Sequence, residues 1–287
     1  MTQTEGFLGA LVQSLPEISA VHARSSKTYQ LLEALVGDEM LSSELVEGAT
    51  GLVDMGPLGE LKFPFEQMGA VSSIDLFGLD ELIIFAYYWL NRDHYRTAAD
   101  IGANLGLHSI IMERCGWSVT AYEPDPNHLT ILERNLALNS ASNIRVIDAA
   151  VSDESGTREF VRVKGNTTSS HLSGSKDSYG ELDRFSVNVQ SIKVIMAESD
   201  FIKLDVEGQE KTIILSTLEA DWESTDMMLE IGSAENAAAI FNHANALGLK
   251  SYSQKNGWKQ VISQEDVPTS YREGSLFISQ DDTVPWI

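Results

Sequence analysis

One stretch, Thr97 to Pro126, limits what this chain can fold into: TAADIGANLGLHSIIMERCGWSVTAYEPDP. A small, apolar lead-in reaches Asp100-Ile-Gly102-Ala103-Asn104-Leu-Gly106, and a helical run from His108 to Arg114 follows, with Gly116 placed to end it. A second apolar run, Val119 to Tyr122, stops at Glu123. Strand, glycine turn, helix, strand and acid together make half of a ligand-binding α/β unit. The glycines admit tight backbone angles and let the main chain approach a ligand, and an acid about 20 residues past the turn suits a ribose diol.

The glycine spacing separates two ligands. A pyrophosphate seated on a helix N-terminus asks for G-x-G-x-x-G. Here the order is D-x-G-x-N-x-G, with no third phosphate glycine at the required offset and a carboxylate before the first. That carboxylate repels a pyrophosphate but accepts a hydrogen bond from an ammonium. The loop therefore points to a nucleoside that carries an amino acid, S-adenosylmethionine, and away from an NAD-dependent oxidoreductase. An ordinary α/β turn with a chance acid downstream is the competing reading.

The chain has 287 residues and 43% hydrophobic content, enough for one large domain or one domain with an extension. No apolar run reaches the roughly 20 residues of a membrane span, and the N-terminus lacks a basic start and a signal-like core. Cys115 is the single cysteine, which excludes an intramolecular disulfide and a Cys-rich zinc site and makes a cytoplasmic location the default. The formal net charge of -22 opposes nucleic acid and anionic membrane surfaces, so neither is expected as a partner.

Residues 1–70 carry no motif. Ser26 to Leu35 reads as an amphipathic helix with Tyr29, Leu32 and Leu35 on one stripe, and Glu60 to Phe65 as a short strand that Pro64 confines to an edge. This region is expected to be a cap over an acceptor pocket or an extension for stability or homodimerisation, with the main domain spanning residues 71–287. Asp80 to Leu90 is a densely apolar helix whose Leu82, Phe85, Ala86 and Trp89 share a face. After Glu123 and Pro124, Asp125 caps a helix with Pro126 at its first position and Leu129, Leu132 and Leu136 buried. Ile144 to Ile147 is a third strand; Asp148 and Ala149 at its end would face an adenine. Strands at Arg158 to Val163 and Phe185 to Val194 flank a polar loop, Gly165 to Gly180, that reads as a mobile lid carrying His171.

Asp200 to Glu210, DFIKLDVEGQE, is the second informative stretch. Phe201, Ile202 and Leu204 form a buried strand with Lys203 inside it, and Asp205 and Glu207 fall at its C-terminal end, where open α/β sheets bind ligands. A lysine in a buried strand needs an acidic partner. Asp226 to Ile231 is another strand, ending at Glu230. Ser233 caps a helix that Gly248 ends, and Leu249 to Ser253, Gly257 to Ser263 and an antiparallel Ser275 to Ile278 close the sheet. Strands alternating with helices give a doubly wound, mostly parallel sheet.

The set D-I-G-A-N-L-G, A-Y-E-P-D-P, N-L-A-L-N, A-A-V-S-D-x-x-G, F-I-K-L-D-V-E-G-Q-E and M-L-E-I resembles the FkbM family of S-adenosylmethionine-dependent methyltransferases over about Arg96 to Ile231. The resemblance implies a class I, Rossmann-like fold with a seven-stranded sheet, acting on a hydroxyl of a small sugar or natural product. It implies that Asp100, Gly102, Asn104 and Gly106 line the methionine end and that Glu123 holds the ribose. N-methylation, protein methylation and a silent S-adenosylmethionine-binding protein stay open. So does the role of the Asp205 and Glu207 pair: general base, magnesium ligand, or structural partner of Lys203. His171 and His108 are the next candidate bases.

Overall fold

The computed structural model describes residues 6–42, 51–175, 179–282 and 286. The chain opens with helix α1 (Phe7–Ser14), a 3-10 run (Leu15–Val21) and α2 (Lys27–Ser42), then a hairpin of β1 (Leu52–Asp54) and β2 (Glu60–Lys62). The long apolar helix follows as α3 (Leu79–Leu90), buried on nearly every side. In α2, Tyr29 points inward as expected, but Leu35 is 43% exposed; the buried stripe runs instead through Val36 and Met40. Steps of seven and four residues keep those side chains in phase with Tyr29 on a 3.6-residue turn, whereas Leu35 falls behind it.

The glycine unit folds as read: β3 (Thr97–Ile101), α4 (Leu107–Arg114), β4 (Ser118–Tyr122), α5 (Pro126–Leu138) and β5 (Ile144–Ile147). Asp125 caps α5, its Oδ1 accepting from the Asn127 amide at 2.8 Å. Three strands, β6 (Ala150–Ser152), β7 (Gly156–Val163) and β8 (His171–Leu172), precede β9 (Leu182–Ser191) and α6 (Ile192–Met196). The chain then returns through β10 (Phe201–Leu204), α7 (Glu210–Leu215), β11 (Asp226–Leu229), α8 (Ala234–Ala246), β12 (Lys250–Ser253), β13 (Lys259–Gln260) and β14 (Leu276–Ser279).

The main sheet runs β13-β12-β14-β11-β10-β3-β4-β5. Strands β5, β4, β3, β10 and β11 are parallel, and β14 lies antiparallel between β11 and β12. The fold is thus α/β, doubly wound and mostly parallel. Its eight strands exceed the expected seven by the two-residue β13, which a turn at Gly257 folds back onto β12. Strands β6 to β9 form a separate four-stranded sheet inserted between β5 and β10, in the order β6-β9-β7-β8.

Two apolar clusters sandwich the main sheet. On one face Ala98, Val119, Phe201 and Met228 pack with α3, α4 and the N-terminal helices. On the other, Ala99, Ile202, Leu204 and Met227 pack with α6, α7 and α8. Residues as early as Leu8 and Val12 share the first cluster with Tyr88 and Trp117. Alternation along β10 places Phe201, Lys203 and Asp205 toward the α3 and α4 face, and Ile202 and Leu204 away from it.

Candidate active site

The glycine turn is shaped by one close approach. Gly102 has φ +80°, and a Cβ there would lie 1.8 Å from the Asp205 carbonyl oxygen. The turns after β3 and β10 therefore touch at the backbone, which only glycine permits. Asn104 takes a left-handed φ of +52°, uncommon for a non-glycine residue. Its amide donates to Glu123 Oε2 at 2.8 Å, and the Asp125 amide donates to Glu123 Oε1 at 2.8 Å. Burial pushes the Glu123 carboxyl up to about 8, against the pull of these two amides. Ala103 and Ala149 are buried, Pro124 is half-buried, and Asp148 is exposed at the end of β5.

Asp100 is fully buried. Its Oδ2 accepts from Ser109 Oγ at 2.6 Å, while Oδ1 is buried with no hydrogen-bond partner, as is Asn104 Oδ1. Orphaned buried acceptors are costly unless something donates to them. Two of them at one glycine turn fit a ligand that brings an ammonium and further donors. S-adenosylmethionine, which carries an ammonium and ribose hydroxyls, fits that description.

The inserted sheet docks beside this turn. Arg162 donates to both carboxylate oxygens of Asp125, at 2.6 and 2.5 Å, and His128 Nε2 bonds Thr167 Oγ1 at 3.0 Å. Within the expected lid Gly165 to Gly180, the described residues 165–175 are hydrogen-bonded to remote parts of the chain near both of their ends. The Ala70 amide donates to the Gly165 carbonyl at 2.7 Å and the Thr167 amide to Met68 at 3.0 Å, while Gln209 Nε2 reaches Ser175 Oγ at 2.5 Å. Gly69 makes this contact feasible, since a Cβ there would lie 2.2 Å from the Gly165 oxygen. Residues 176–178 of the expected lid lie outside the described residues. His171, read as a lid histidine, is 1% exposed in β8, paired in register with Val161, and its Nδ1 bonds the Ser169 carbonyl at 2.9 Å. The register with β7 turns it inward, and it does not line the cavity described next.

That cavity lies at the C-terminal ends of β10 and β11, lined by Glu81, Ile84, His108, Lys203, Met228, Glu230 and neighbours. Strand register brings the polar groups together: Lys203 pairs with Asp100 on one side and Met228 on the other. Asp205 and Glu230 follow two residues further along the same face. Lys203 Nζ lies 3.2 Å from Asp205 Oδ2. Burial alone would lower the Lys203 ammonium, but the charges of Asp205, Asp100, Glu81 and Glu230 outweigh it and hold the pKa above the ordinary lysine value. The expectation of an acidic partner for this lysine is met by Asp205. Glu207 sits in the following turn with φ +52°, and Gly208 at φ +104° carries the chain away into α7. Glu210 folds back, its Oε1 accepting from the Gly208 amide at 2.8 Å.

The helices over this face add a pair the sequence reading did not assemble. His108 Nε2 lies 2.8 Å from Glu81 Oε2, and Tyr88 Oη lies 2.9 Å from His108 Nδ1. Both ring nitrogens of His108 are thus engaged, Nε2 by the Glu81 carboxylate and Nδ1 by the Tyr88 hydroxyl. Burial would raise the Glu81 carboxyl, but His108 and Lys203 bring it below its ordinary value; burial and repulsion from Asp205 and Glu81 drive Glu230 well above. Among the described residues, no three His, Cys, Asp or Glu side chains converge where a metal ion could bind, so the magnesium reading of Asp205 and Glu207 gains no ligand set.

A doubly wound sheet with this strand order, a glycine turn after its first central strand and acids at successive strand ends defines a nucleoside-binding α/β domain of the class I methyltransferase type. Residues 100–263, more than half the chain, match the model of the FkbM methyltransferase domain, and the chain belongs to that family. Methyltransferase sdnD of Sordaria araneosa is 27% identical over 158 residues, which take in 43% of this chain and 61% of that protein. The match thus spans less than two thirds of that relative. Solved structures similar to this chain include a precorrin-6y C5,15-methyltransferase from Geobacter metallireducens, at 12% identity and a TM-score of 0.36, covering 68% of this chain and 84% of that one. Another is a putative O-methyltransferase from Klebsiella pneumoniae, at 11% identity and a TM-score of 0.38, covering 68% and 77%.

Proposed function

We propose that this protein transfers the methyl group of S-adenosylmethionine to a hydroxyl of a small acceptor, a sugar or another natural product. The observation that carries the reading is the cavity at the ends of β10 and β11, where Lys203, Glu230, Glu81 and His108 face inward beside the orphaned Asp100 Oδ1. Asp100, Gly102, Ala103, Asn104 and Gly106 would hold the amino acid end of the cofactor, Glu123 and Pro124 the ribose, and Asp148 and Ala149 the adenine. When bound, it supplies an electrophilic methyl group on a sulfonium.

The rest falls to the chain. Alignment of acceptor and methyl in a confined site supplies up to ~7–11 kcal/mol in well-oriented systems. A hydroxyl is a weak nucleophile, so a carboxylate at the strand ends must accept its proton. Asp205 and Glu230 are the acids at the ends of adjacent strands, and Lys203 between them keeps negative charge tolerable in the cavity. The test is incubation of the protein with S-adenosylmethionine and a panel of sugars, polyols and phenols, reading S-adenosylhomocysteine and the methylated product by mass spectrometry. Methyl ether formation is expected. Turnover confined to amines would replace this reading with N-methylation, and no turnover with binding intact would leave a silent binding protein.

A further inference from the structure

We propose that Glu230 is the group that takes the proton from the acceptor hydroxyl, and that Asp205 is a positioning residue that fixes Lys203. This rests on the O-methylation reading above and assigns its base. Four carboxylates cluster on this face, and three are engaged. Asp100 Oδ2 accepts from Ser109, Glu81 Oε2 bonds His108, and Asp205 Oδ2 holds Lys203 at 3.2 Å. The remaining oxygen of Asp100 is buried without a partner and does not line this cavity. Glu230 lines the cavity, and no described residue donates a hydrogen bond to its carboxylate. It also directly follows β11, one strand further from the glycine turn than Asp205 at the end of β10.

Its surroundings suit the task. Burial comes first, then repulsion from Asp205, Glu81 and Asp80, in raising its proton affinity, while Lys203 opposes them and stabilises the ionised form. A carboxylate made more basic in this way is better matched to a hydroxyl than an ordinary exposed one. In the step, the acceptor O–H proton passes to a Glu230 carboxylate oxygen as the acceptor oxygen bonds to the methyl carbon. The sulfur–methyl bond breaks with its electron pair staying on sulfur, which loses its positive charge. Glu230 then releases the proton to water when product leaves.

The variants are Glu230→Gln, Glu230→Asp and Asp205→Asn, and two readouts are needed. The first uses no acceptor. With S-adenosylhomocysteine bound, infrared difference spectra of wild type minus Glu230→Gln should contain a protonated carboxyl band that fades as pH is raised. Absence of that band at mildly acidic pH overturns the assignment. The second uses whichever hydroxyl compound the wild type methylates. Glu230→Gln should lose ~10²- to 10⁴-fold in kcat and lose the acid limb of the pH–rate profile, with S-adenosylhomocysteine affinity unchanged by calorimetry. Glu230→Asp should restore the limb at reduced rate. Asp205→Asn should keep the limb and move it to lower pH, because a repelling charge is gone. Wild-type kcat in a folded Glu230→Gln, or loss of the limb only in Asp205→Asn, overturns the proposal. If no hydroxyl compound is turned over, O-methylation fails as a reading while the infrared result still decides how Glu230 titrates.

Discussion

At the scale of single residues, the site depends on Gly102 and Glu123. A methyl at Gly102 would collide with the Asp205 backbone oxygen, which no side-chain rotation can relieve. Gly102→Ala should therefore cost about 1–3 kcal/mol, as overpacking does, and separate the β3 and β10 turns; chemical denaturation and cofactor titration should report both losses. Glu123 makes a different prediction. Its carboxyl is raised from an ordinary 4.5 to about 8, so the unliganded protein carries that proton at neutral pH. Ribose hydroxyls donating to it favour the charged form, so cofactor binding should release a proton. Affinity should rise with pH, by up to about tenfold per unit, and level off above pH 8. Calorimetric titrations in buffers of different ionisation enthalpy would detect the released proton. A Glu123→Gln variant should show neither proton release nor the slope.

At the scale of elements, the inserted sheet is held beside the glycine turn by strong contacts. Arg162 and Asp125 form a bidentate pair in which Asp125 is almost wholly buried. Burial alone would raise Asp125, but Arg162, His128 and the Asn127 amide bring it below its ordinary value. Arg162→Ala leaves that buried charge unpaired and should destabilise the protein by about 3 kcal/mol. Native-state hydrogen exchange should show the Ala70 and Thr167 amides protected in wild type and exposed in Arg162→Ala; fast exchange at both in wild type would restore a mobile lid. This is also where the sequence was hardest to read. The Thr97 to Tyr122 unit was legible because strand, turn and helix are each specified by neighbours along the chain. The polar run from Gly165 to Gly180 looks like a free loop because its partners, Met68, Ala70 and Gln209, are remote in sequence. His171 is buried by the register of β7 with β8, which no local pattern encodes. Glu81 and His108 meet only because α3 and α4 cross the same sheet face, so their pairing had no signal in either helix alone.

At the scale of the whole molecule, the first and last segments are locked together through His22. Its Nε2 donates to the Leu15 carbonyl at 3.0 Å, its Nδ1 accepts from Trp258 Nε1 at 3.0 Å, and Trp286 packs edge-on at 4.8 Å. Burial lowers its pKa from 6.5 to about 4, against the Leu15 bond. The unfolded chain then binds a proton that the folded one refuses, so stability present above pH 6.5 is lost as pH falls toward 4. The loss should approach about 3 kcal/mol, and His22→Gln should flatten that part of the profile in thermal melts. The doubly wound, mostly parallel sheet and the acids at its strand ends followed from alternating strand and helix signals, whereas the strand order, the two-residue β13 and the four-stranded insert depend on long-range pairing. The account as a whole turns on the cofactor site, and titration calorimetry of S-adenosylmethionine against wild type and Asp100→Asn tests it most directly. Asparagine keeps the shape and the Ser109 contact but removes the charge that would meet the cofactor's ammonium. Losing a charged hydrogen bond of about 1.5–3 kcal/mol predicts affinity down roughly tenfold to a hundredfold or more, with the fold intact. Equal affinity in the two proteins, or no binding to wild type, would contradict it.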